Sequence, residues 1–338
     1  MKKAIWLLPT SAALAAGVCG TPAAAQSTQL YGSIRLAINH VKVGQQSSTT
    51  EMADNASRLG FKGTESLGNG LTAVWGMEYG LNATTGAQTS QLRNSYVGLR
   101  HASLGSLVAG RLDSAAVGGS PLYSQLGAIV SYAPNDAGLT AIGTTIANAR
   151  NRVSNALGYM SPDWAGWSFR ARYYQRGENT ATTSQDDASS FDMGVQYNNK
   201  LVRAALGYGK DKRKGGLENN EFDAKWQAGL RLLALGDFQP YVFYGRDSYR
   251  ATTSTRRHVN YWIVGARYSI GPHAITANTA EREVQNSLSS ERRRYQLSYV
   301  YTLTKRTQLQ AYYDRDSVDS SRDNVRINGF GAGILHNF

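Results

Sequence analysis

The stretch Trp167-Ser-Phe-Arg-Ala-Arg-Tyr-Tyr-Gln-Arg176 decides the fold class, because its residues alternate in character with a period of two. One set of alternate positions is apolar: Trp167, Phe169, Ala171 and Tyr173. The intervening set is polar or charged: Ser168, Arg170, Arg172 and Tyr174. Successive side chains of a β-strand point to opposite faces, so this pattern predicts a strand with one apolar and one charged face.

The same alternation recurs along most of the chain and predicts sixteen strands separated by turn residues. The predicted strands are 28–43, 57–65, 71–82, 92–101, 106–111, 152–160, 167–176, 190–197, 200–210, 222–233, 237–249, 257–269, 273–284, 291–302, 306–317 and 327–338. Short connections alternate with longer ones. An even strand number with short turns on one side and longer loops on the other is typical of a transmembrane β-barrel in an outer membrane.

A soluble secreted β-sandwich is the alternative, since its strands also alternate. The inner faces of a sandwich should be apolar, whereas most strands here carry Arg, Lys, Gln, Asn or Asp on one face. The chain also has 20 Tyr, 6 Trp and 8 Phe, many of them near predicted strand ends, where barrels carry aromatic girdles. A polar interior inside about sixteen strands predicts a water-filled channel. The sequence therefore favours an all-β, 16-stranded antiparallel transmembrane barrel.

The N-terminus has the three regions of a secretory signal peptide. A positive start, Met1-Lys2-Lys3, precedes a mostly apolar segment and the small residues Ala23-Ala24-Ala25. We expect residues 1–25 to be removed and residues 26–338 to form the barrel. Removing two lysines leaves 36 − 2 = 34 basic and 24 acidic residues, a net charge of +10. For an exported chain, lipid phosphates and small anions are better partners than nucleic acid.

Residues 112–151 interrupt the pattern. They form a forty-residue connection rich in Gly, Ala, Ser and Thr, without sustained strand alternation. Compact domains rarely carry so long a connection unless it has a function. We therefore expect this third long loop to fold into the barrel and narrow the channel.

No pattern of residues suggests catalysis. The five histidines are scattered, and none falls in a nucleophile or metal-ligand spacing. The only cysteine, Cys19, leaves with the predicted signal peptide. We expect no enzymatic activity, no catalytic residues, no metal and no cofactor.

Several stretches in order resemble the trimeric Gram-negative general porins of the β-proteobacterial and neisserial type. They are Leu30-Tyr-Gly-Ser-Ile, Ser57-Arg-Leu-Gly-Phe-Lys-Gly-Thr-Glu65, Leu67-Gly-Asn-Gly-Leu71, Tyr96-Val-Gly-Leu99, Gly110-Arg111, Asn155 to Tyr159, Ser161-Pro162 and the terminal Phe338. The resemblance implies a homotrimer in the outer membrane. It also implies a third loop that constricts the pore opposite an arginine cluster, which it places at Arg58, Arg93 and Arg152.

The charges of the predicted lumen suggest anion preference. Rings of Arg or Lys on a low-dielectric wall favour anions. Besides the arginine cluster, Arg111 ends a strand at the base of the loop, and the loop carries only two acids, Asp113 and Asp136. Further basic residues fall on predicted polar faces of the lumen wall: Arg35, Lys62, Arg170, Arg172, Arg203, Arg231 and Arg267.

The sequence thus predicts an outer-membrane porin for passive diffusion of ions and small hydrophilic solutes, with preference for anions. Two alternatives remain: a substrate-specific anion channel, and a structural or adhesin barrel whose pore is plugged. Basic clusters near the predicted loops suggest contact with outer-membrane lipids and lipopolysaccharide phosphates: Lys210 to Lys214, Arg256-Arg257 and Arg292 to Arg294.

Overall fold

The structure is a computed structural model. It describes residues 26–113, 117–130, 140–142, 146–147, 152–175, 189–212, 223–250, 256–285, 290–320 and 324–338. The predicted signal peptide with its cleavage site, Asp136 and Arg213 to Lys214 of one basic cluster lie outside the described residues.

The described chain is almost entirely antiparallel strand, with one helix in the third long loop. The strands are β1 (Ser27–Val43), β2 (Thr49–Asp54), β3 (Ser57–Gly68), β4 (Leu71–Asn82), β5 (Ala87–His101), β6 (Gly105–Leu112), β7 (Val153–Met160), β8 (Trp167–Gln175), β9 (Ser189–Asn198), β10 (Val202–Lys212), β11 (Ala224–Leu232), β12 (Phe238–Arg250), β13 (Arg256–Ile270), β14 (His273–Gln285), β15 (Ser290–Thr302), β16 (Thr307–Ser320) and β17 (Asn324–Asn337). The helix α1 spans Pro121–Ile129.

The sheet closes on itself, because the first strand pairs with the last. Ser33 lies opposite Asn337, and the pairing continues to Val43 opposite Ile327. Closure satisfies the backbone groups that an open sheet edge would expose to lipid. The structure is a closed 16-strand antiparallel barrel, and the predicted fold class is confirmed.

One position in the barrel is occupied by two consecutive strands. The outer half of β1 pairs with β2, and its first half pairs with β3. Between β2 and β3 the backbone bends at Ala56, whose φ of 66° lies in the left-handed region. The prediction of a continuous loop over residues 44–56 was therefore wrong in part, because residues 49–54 extend the barrel wall.

Alternation separates an apolar outer face from a polar inner face. Outward residues such as Leu206, which is 56 % exposed, alternate with inward residues such as Gly207, which contacts the loop helix. Large apolar side chains are exposed around the whole outer wall, as expected for a surface that meets lipid. No helix in the described part of the chain is long and apolar enough to cross a membrane.

The third loop folds inward and packs its helix against the inner wall. Ser120 caps α1 by accepting a hydrogen bond from the amide of Tyr123, and Pro121 follows in the first turn. Leu126 and Ile129 then join Ile146 and wall residues in a buried apolar cluster. Burying each such side chain contributes about 1.5–3 kcal/mol, which holds the loop against the wall.

Glycines in the wall provide the space for this helix. A Cβ on Gly194 would lie 2.1 Å from Gln125 Nε2, and one on Gly207 would lie 2.3 Å from Gln125 Oε1. In that space, Gln125 Nε2 donates hydrogen bonds to the carbonyl oxygens of Val195 (3.1 Å) and Leu206 (2.7 Å). The helix is therefore fixed to β9 and β10 by apolar packing and by one buried amide.

A second contact ties the later part of the loop to β16. Thr140 Oγ1 and the amide of Ala141 both donate to Asp314 Oδ2, at 2.9 and 2.7 Å. Gln296 Nε2 donates to the other oxygen of Asp314 at 2.7 Å. The described loop segments thus pack along the wall from β8 round to β17.

Candidate pore constriction

Two arginines and two acids meet where the loop leaves β6. Arg93 Nε donates to Glu78 Oε1 at 2.6 Å, and Arg93 Nη2 lies 3.4 Å from Asp113 Oδ2. Arg152 Nε lies 3.5 Å from the same oxygen of Asp113. The carboxylate side chains are 2 % and 1 % exposed, whereas Arg93 and Arg152 are 12 % and 33 % exposed. The guanidinium groups therefore face the water and the carboxylates lie behind them.

A bulge places Arg93 in this cluster, and a second bulge lies beside Arg111. Glu78 lies opposite Asn94 and Tyr79 opposite Leu92, so Arg93 is an extra residue in β5. A second irregularity lies beside Arg111: Gly110 pairs with Ala156 and Leu112 with Val153, so the extra residue belongs to β7, where Asn155 has a φ of 53°. A bulge re-aims a side chain without ending the strand.

Arg111 is anchored across three strands. Its Nε donates to the carbonyl oxygen of Leu92 in β5 at 2.6 Å, and its Nη1 donates to Ser154 Oγ in β7 at 2.7 Å. These bonds hold the base of the third loop, where β6 ends.

Arg58 approaches the same region from β3. It lies on the inner face with Lys62, whose Nζ is 5.0 Å from the ring centre of Tyr31. Within the described ranges, the Arg58 side chain has no hydrogen bond or ion pair, and it is partly exposed. Among the described residues, no carboxylate neutralises its charge.

The cluster keeps a positive charge. Four positive charges come from Arg58, Arg93, Arg111 and Arg152, and two negative charges come from Glu78 and Asp113. The net charge of these six side chains is therefore 4 − 2 = +2. Arg152 precedes β7 and lies outside the spanning strands. Burial, reinforced by the positive charge of Arg93, lowers the pKa of Arg152, and Asp113 opposes this shift. Arginine still remains a cation at neutral pH.

The predicted lumen-wall residues fall into two groups. Arg172 points inward but is buried in an ion pair: its Nε and Nη2 donate to the two carboxylate oxygens of Asp192 at 3.0 and 2.6 Å. Its Nη1 also donates to the carbonyl oxygen of Leu112, so it supports the start of the loop. The remaining predicted residues of the lumen wall also occupy inward positions. Each of them either has part of its side chain accessible or lies near a short turn: Arg35, Lys62, Arg170, Arg203, Arg231 and Arg267.

Sequence reasoning missed the acids that neutralise part of the wall. Glu78 alternates with the outward residues Trp75 and Met77, so the period-two pattern of β4 could have placed it in the lumen. The same period-two alternation places Asp192, Asp314 and Asp316 on the inner faces of their strands. The partners of these acids depend on the register between strands, which alternation alone does not provide.

The basic cluster Arg292 to Arg294 has a different surrounding from the one expected. Arg292 and Arg294 both bind Asp316 on the inner face, and Arg294 is fully buried. Only Arg293 points outward, where it pairs with Glu281 and Glu291. Among the described residues, no group of three or more His, Cys, Asp or Glu side chains could hold a metal ion.

A closed sixteen-strand barrel with a polar bore, an apolar outer wall and an inward loop defines an outer-membrane channel protein. The chain belongs to the Gram-negative porin family, whose sequence model matches residues 10–321. The protein is therefore an outer-membrane porin of a Gram-negative bacterium, with a water-filled channel for passive diffusion of ions and small hydrophilic solutes.

Individual relatives agree with this assignment. An outer membrane porin protein of Bordetella pertussis is 25 % identical, over 97 % of this chain and 98 % of that protein. A major outer membrane protein P.IB of Neisseria gonorrhoeae is 32 % identical over 52 % of this chain and 50 % of its own length.

Among solved structures, an anion-selective porin from Comamonas acidovorans superimposes with a TM-score of 0.76, covering 93 % of this chain and 100 % of that chain at 20 % identity. The trimer form of OmpT from Vibrio cholerae gives a TM-score of 0.69 at 14 % identity, with 93 % of this chain and 100 % of that chain covered. At these identities the likeness shows the fold.

Proposed function

We propose that this porin prefers anions, and that its selectivity is set between the third loop and the arginines of the facing wall. The observation that carries the proposal is the pairing at the base of the loop. Glu78 and Asp113 are buried behind Arg93 and Arg152, while Arg58 is partly exposed and pairs with no carboxylate of the described residues. A permeating ion therefore meets guanidinium groups before it meets carboxylates.

Electrostatics gives this arrangement its effect. The apolar barrel wall and the surrounding lipid have a low dielectric constant, so the field of fixed charges is concentrated in the aqueous bore. A local charge of +2 then raises the concentration of anions and lowers that of cations at the narrowest point. The loop contributes by confining ions to the side of the bore that carries the arginines.

The anion selectivity of the Comamonas acidovorans porin supports the proposal by analogy of fold. Swelling of liposomes that contain the purified protein tests it. Isotonic solutions of a sugar, a sugar acid and an amino sugar of similar size should give swelling rates in the order acid, neutral, amino. Faster entry of the amino sugar would reject anion preference, and no swelling would favour a plugged structural barrel.

The concentration dependence of the current separates general diffusion from a substrate-specific anion channel. A general porin should conduct in proportion to the concentration of salt or organic anion. Saturation of the current by one class of organic anion, with block of chloride current, would favour the substrate-specific channel.

We also propose that the barrel assembles as a homotrimer. The outer faces of β4 to β6 are mainly aliphatic where they are most exposed, at Met77, Val97, Leu99 and Leu107. The most exposed aromatic residues of the outer wall lie on other strands, as expected for surfaces that meet the membrane interface. Light scattering in detergent should give three chains per particle, and Val97→Arg should reduce this number; a monomeric wild type would contradict the proposal.

Contact with lipopolysaccharide is proposed for the outward Arg293. It is exposed and paired with Glu281 and Glu291 near the loop end of β14 and β15. A phosphate group could replace one of these carboxylates at the guanidinium. Retention of purified lipopolysaccharide by the wild type but not by Arg293→Ala would support this contact, and equal retention would oppose it.

A further inference from the structure

Three outward-facing cations lie together near the long-loop end of the barrel, on both sides of the seam where the sheet closes. Lys42 lies on β1, Arg326 on β17 and Arg315 on β16, and all three side chains are exposed. Successive side chains of a strand alternate between its faces. Each cation shares its face of the strand with a large side chain that is exposed on the outer wall: Ile38, Phe330 and Tyr313, respectively.

The register of the three strands brings these cations close to one another. Asn328 of β17 is the direct partner of both Lys42 and Arg315. Arg326 lies two residues before Asn328 on the same face of β17, so it is a diagonal neighbour of the other two cations. Diagonal neighbours in a sheet lie about 7–8 Å apart, and strands two places apart are separated by about 10 Å. Three positive charges therefore surround Asn328.

No acid of the described residues neutralises the three cations. None of their side chains forms an ion pair or a hydrogen bond within the described ranges. Asp319, the outward acid of β16, lies four residues beyond Arg315 toward the loop, which leaves a local charge of 3 − 1 = +2. On the next strand, by contrast, Arg293 is paired with Glu281 and Glu291. Like charges close together destabilise a sheet, so a bound anion would remove a repulsion here.

Aromatic side chains place the cations at the level of lipid headgroups. Phe330 and Tyr313 are register partners, and both are exposed two residues nearer the middle of the barrel than the cations. The hydroxyl of Tyr313 donates to Asn328 Oδ1 at 3.2 Å, so it is directed toward the cations. His40 stacks on Phe330 with 5.0 Å between the ring centres. Aromatic girdles of barrels lie at the membrane–water interface.

Below this girdle the outer wall is apolar. The exposed side chains there include Ile38, Leu297 and Ile334. The surface therefore offers charge at the headgroup level and an apolar wall at the level of acyl chains, which fits an amphiphile better than a free anion. Long loops of outer-membrane barrels face the outside of the cell, so the matching lipid is one of the outer leaflet. Arginine binds phosphate through short, charge-assisted hydrogen bonds.

We propose that Lys42, Arg315 and Arg326, here named the seam triad, bind the phosphate groups of an outer-leaflet lipid whose acyl chains lie over Phe330 and the apolar wall below it. The identity of the lipid rests on the proposed contact with lipopolysaccharide. The seam triad places a binding site for that lipid at residues other than Arg293 and outside the pore.

Native mass spectrometry of the purified protein, exchanged into detergent and freed of lipid, tests the proposal. Bisphosphorylated lipid A is the probe, and its dephosphorylated form is the comparison. The bisphosphorylated form should bind much more tightly, and millimolar inorganic phosphate should not displace it. Equal affinity for the dephosphorylated form would show that phosphate is not recognised, and displacement by inorganic phosphate would show a site for free anions; either result would overturn the proposal.

The double variant Arg315→Gln/Arg326→Gln should bind bisphosphorylated lipid A about 25-fold more weakly than the wild type, about fivefold for each cation removed near a membrane surface. Arg315→Lys/Arg326→Lys retains both charges and should retain most of the affinity, which controls for misfolding. Lys210→Gln/Arg246→Gln is the matched control, because it removes two outward cations from β10 and β12, away from the seam. Equal weakening in this control and in the glutamine variant at the seam would overturn the proposal.

Two further measurements separate the seam triad from the other proposals. Arg293→Ala should leave this affinity largely unchanged; loss of binding in Arg293→Ala but not in Arg315→Gln/Arg326→Gln would assign the lipid to Arg293 and reject the seam triad. Light scattering of the lipid-free Arg315→Gln/Arg326→Gln variant should give the wild-type number of chains per particle. A smaller number would identify the seam as a contact between subunits and overturn the lipid site.

Discussion

Replacing Arg58 with glutamine removes one positive charge from the constriction while preserving a polar side chain of similar length. Arg58 is suited to this test because, in the part of the chain that the structure describes, its side chain forms no ion pair. The substitution therefore leaves no buried carboxylate without a partner, in contrast to a change at Arg93, which binds Glu78 at 2.6 Å. We expect the barrel to fold normally and the selectivity alone to change.

The size of the effect follows from Coulomb's law. An ion that passes about 7 Å from a unit charge in water gains or loses about 0.6 kcal/mol, close to RT. Removing the charge lowers the anion population about 2.7-fold and raises the cation population about 2.7-fold, a change of about sevenfold in their ratio. Screening in about 0.1 M salt, where the Debye length is about 10 Å, reduces the change in the ratio to about threefold.

The assay is the reversal potential of the variant in a planar bilayer under a potassium chloride gradient. Arg293→Gln is the matched control, because Arg293 points outward and is paired with Glu281. The control should keep the wild-type reversal potential, whereas Arg58→Gln should move it toward the cation side. An unchanged reversal potential in Arg58→Gln at low salt would show that Arg58 does not line the selective part of the bore.

Four further changes test other parts of the structure. Glu78→Gln raises the local charge to about +3 and should increase anion preference about threefold in about 0.1 M salt, measured by reversal potential; a shift toward cations would contradict the charge balance. Gly207→Ala places a Cβ 2.3 Å from Gln125 Oε1, so α1 should move toward the bore and lower the single-channel conductance; equal conductance would mean that the helix does not limit it. Asp314→Ala removes the acceptor of two loop hydrogen bonds, each worth about 1.5–3 kcal/mol, and should increase open-channel noise, with a quiet channel as the opposing result. Asp192→Asn breaks a fully buried ion pair with Arg172 and should cost about 3–5 kcal/mol of stability, seen as a lower unfolding temperature; an unchanged temperature would argue against a structural role.

Most of the barrel could be predicted from the sequence because the alternation of each strand is a local property of that segment. A strand between lipid and water must alternate, so the segment around Trp167 to Arg176 and its counterparts indicate their own structure. Two elements were not predicted from the sequence. Residues 49–54 alternate weakly and form β2 only because β1 extends beyond β3 and provides a partner. The helix α1 begins at a recognisable signal, Ser120 followed by Pro121, but it lies in a stretch without strand alternation.

The candidate site was less predictable, because it depends on contacts between distant segments. Sequence resemblance singled out Arg58, Arg93 and Arg152, and the structure brings Arg93 and Arg152 to one carboxylate, Asp113. A bulge at Arg93 interrupts the alternation of β5, so the period-two pattern cannot assign a face to this residue. Glu78 gave no motif signal, and its role follows only from the register of β4 with β5.

The reversal potential of the wild-type protein under a potassium chloride gradient tests the central claim most directly. A pore with buried carboxylates behind solvent-facing arginines should show a potential of the sign set by chloride. The selectivity should weaken as the salt concentration rises, because screening shortens the reach of the fixed charges. A potential of the sign set by potassium would contradict the account, since it would require an excess of acids in the selective part of the bore.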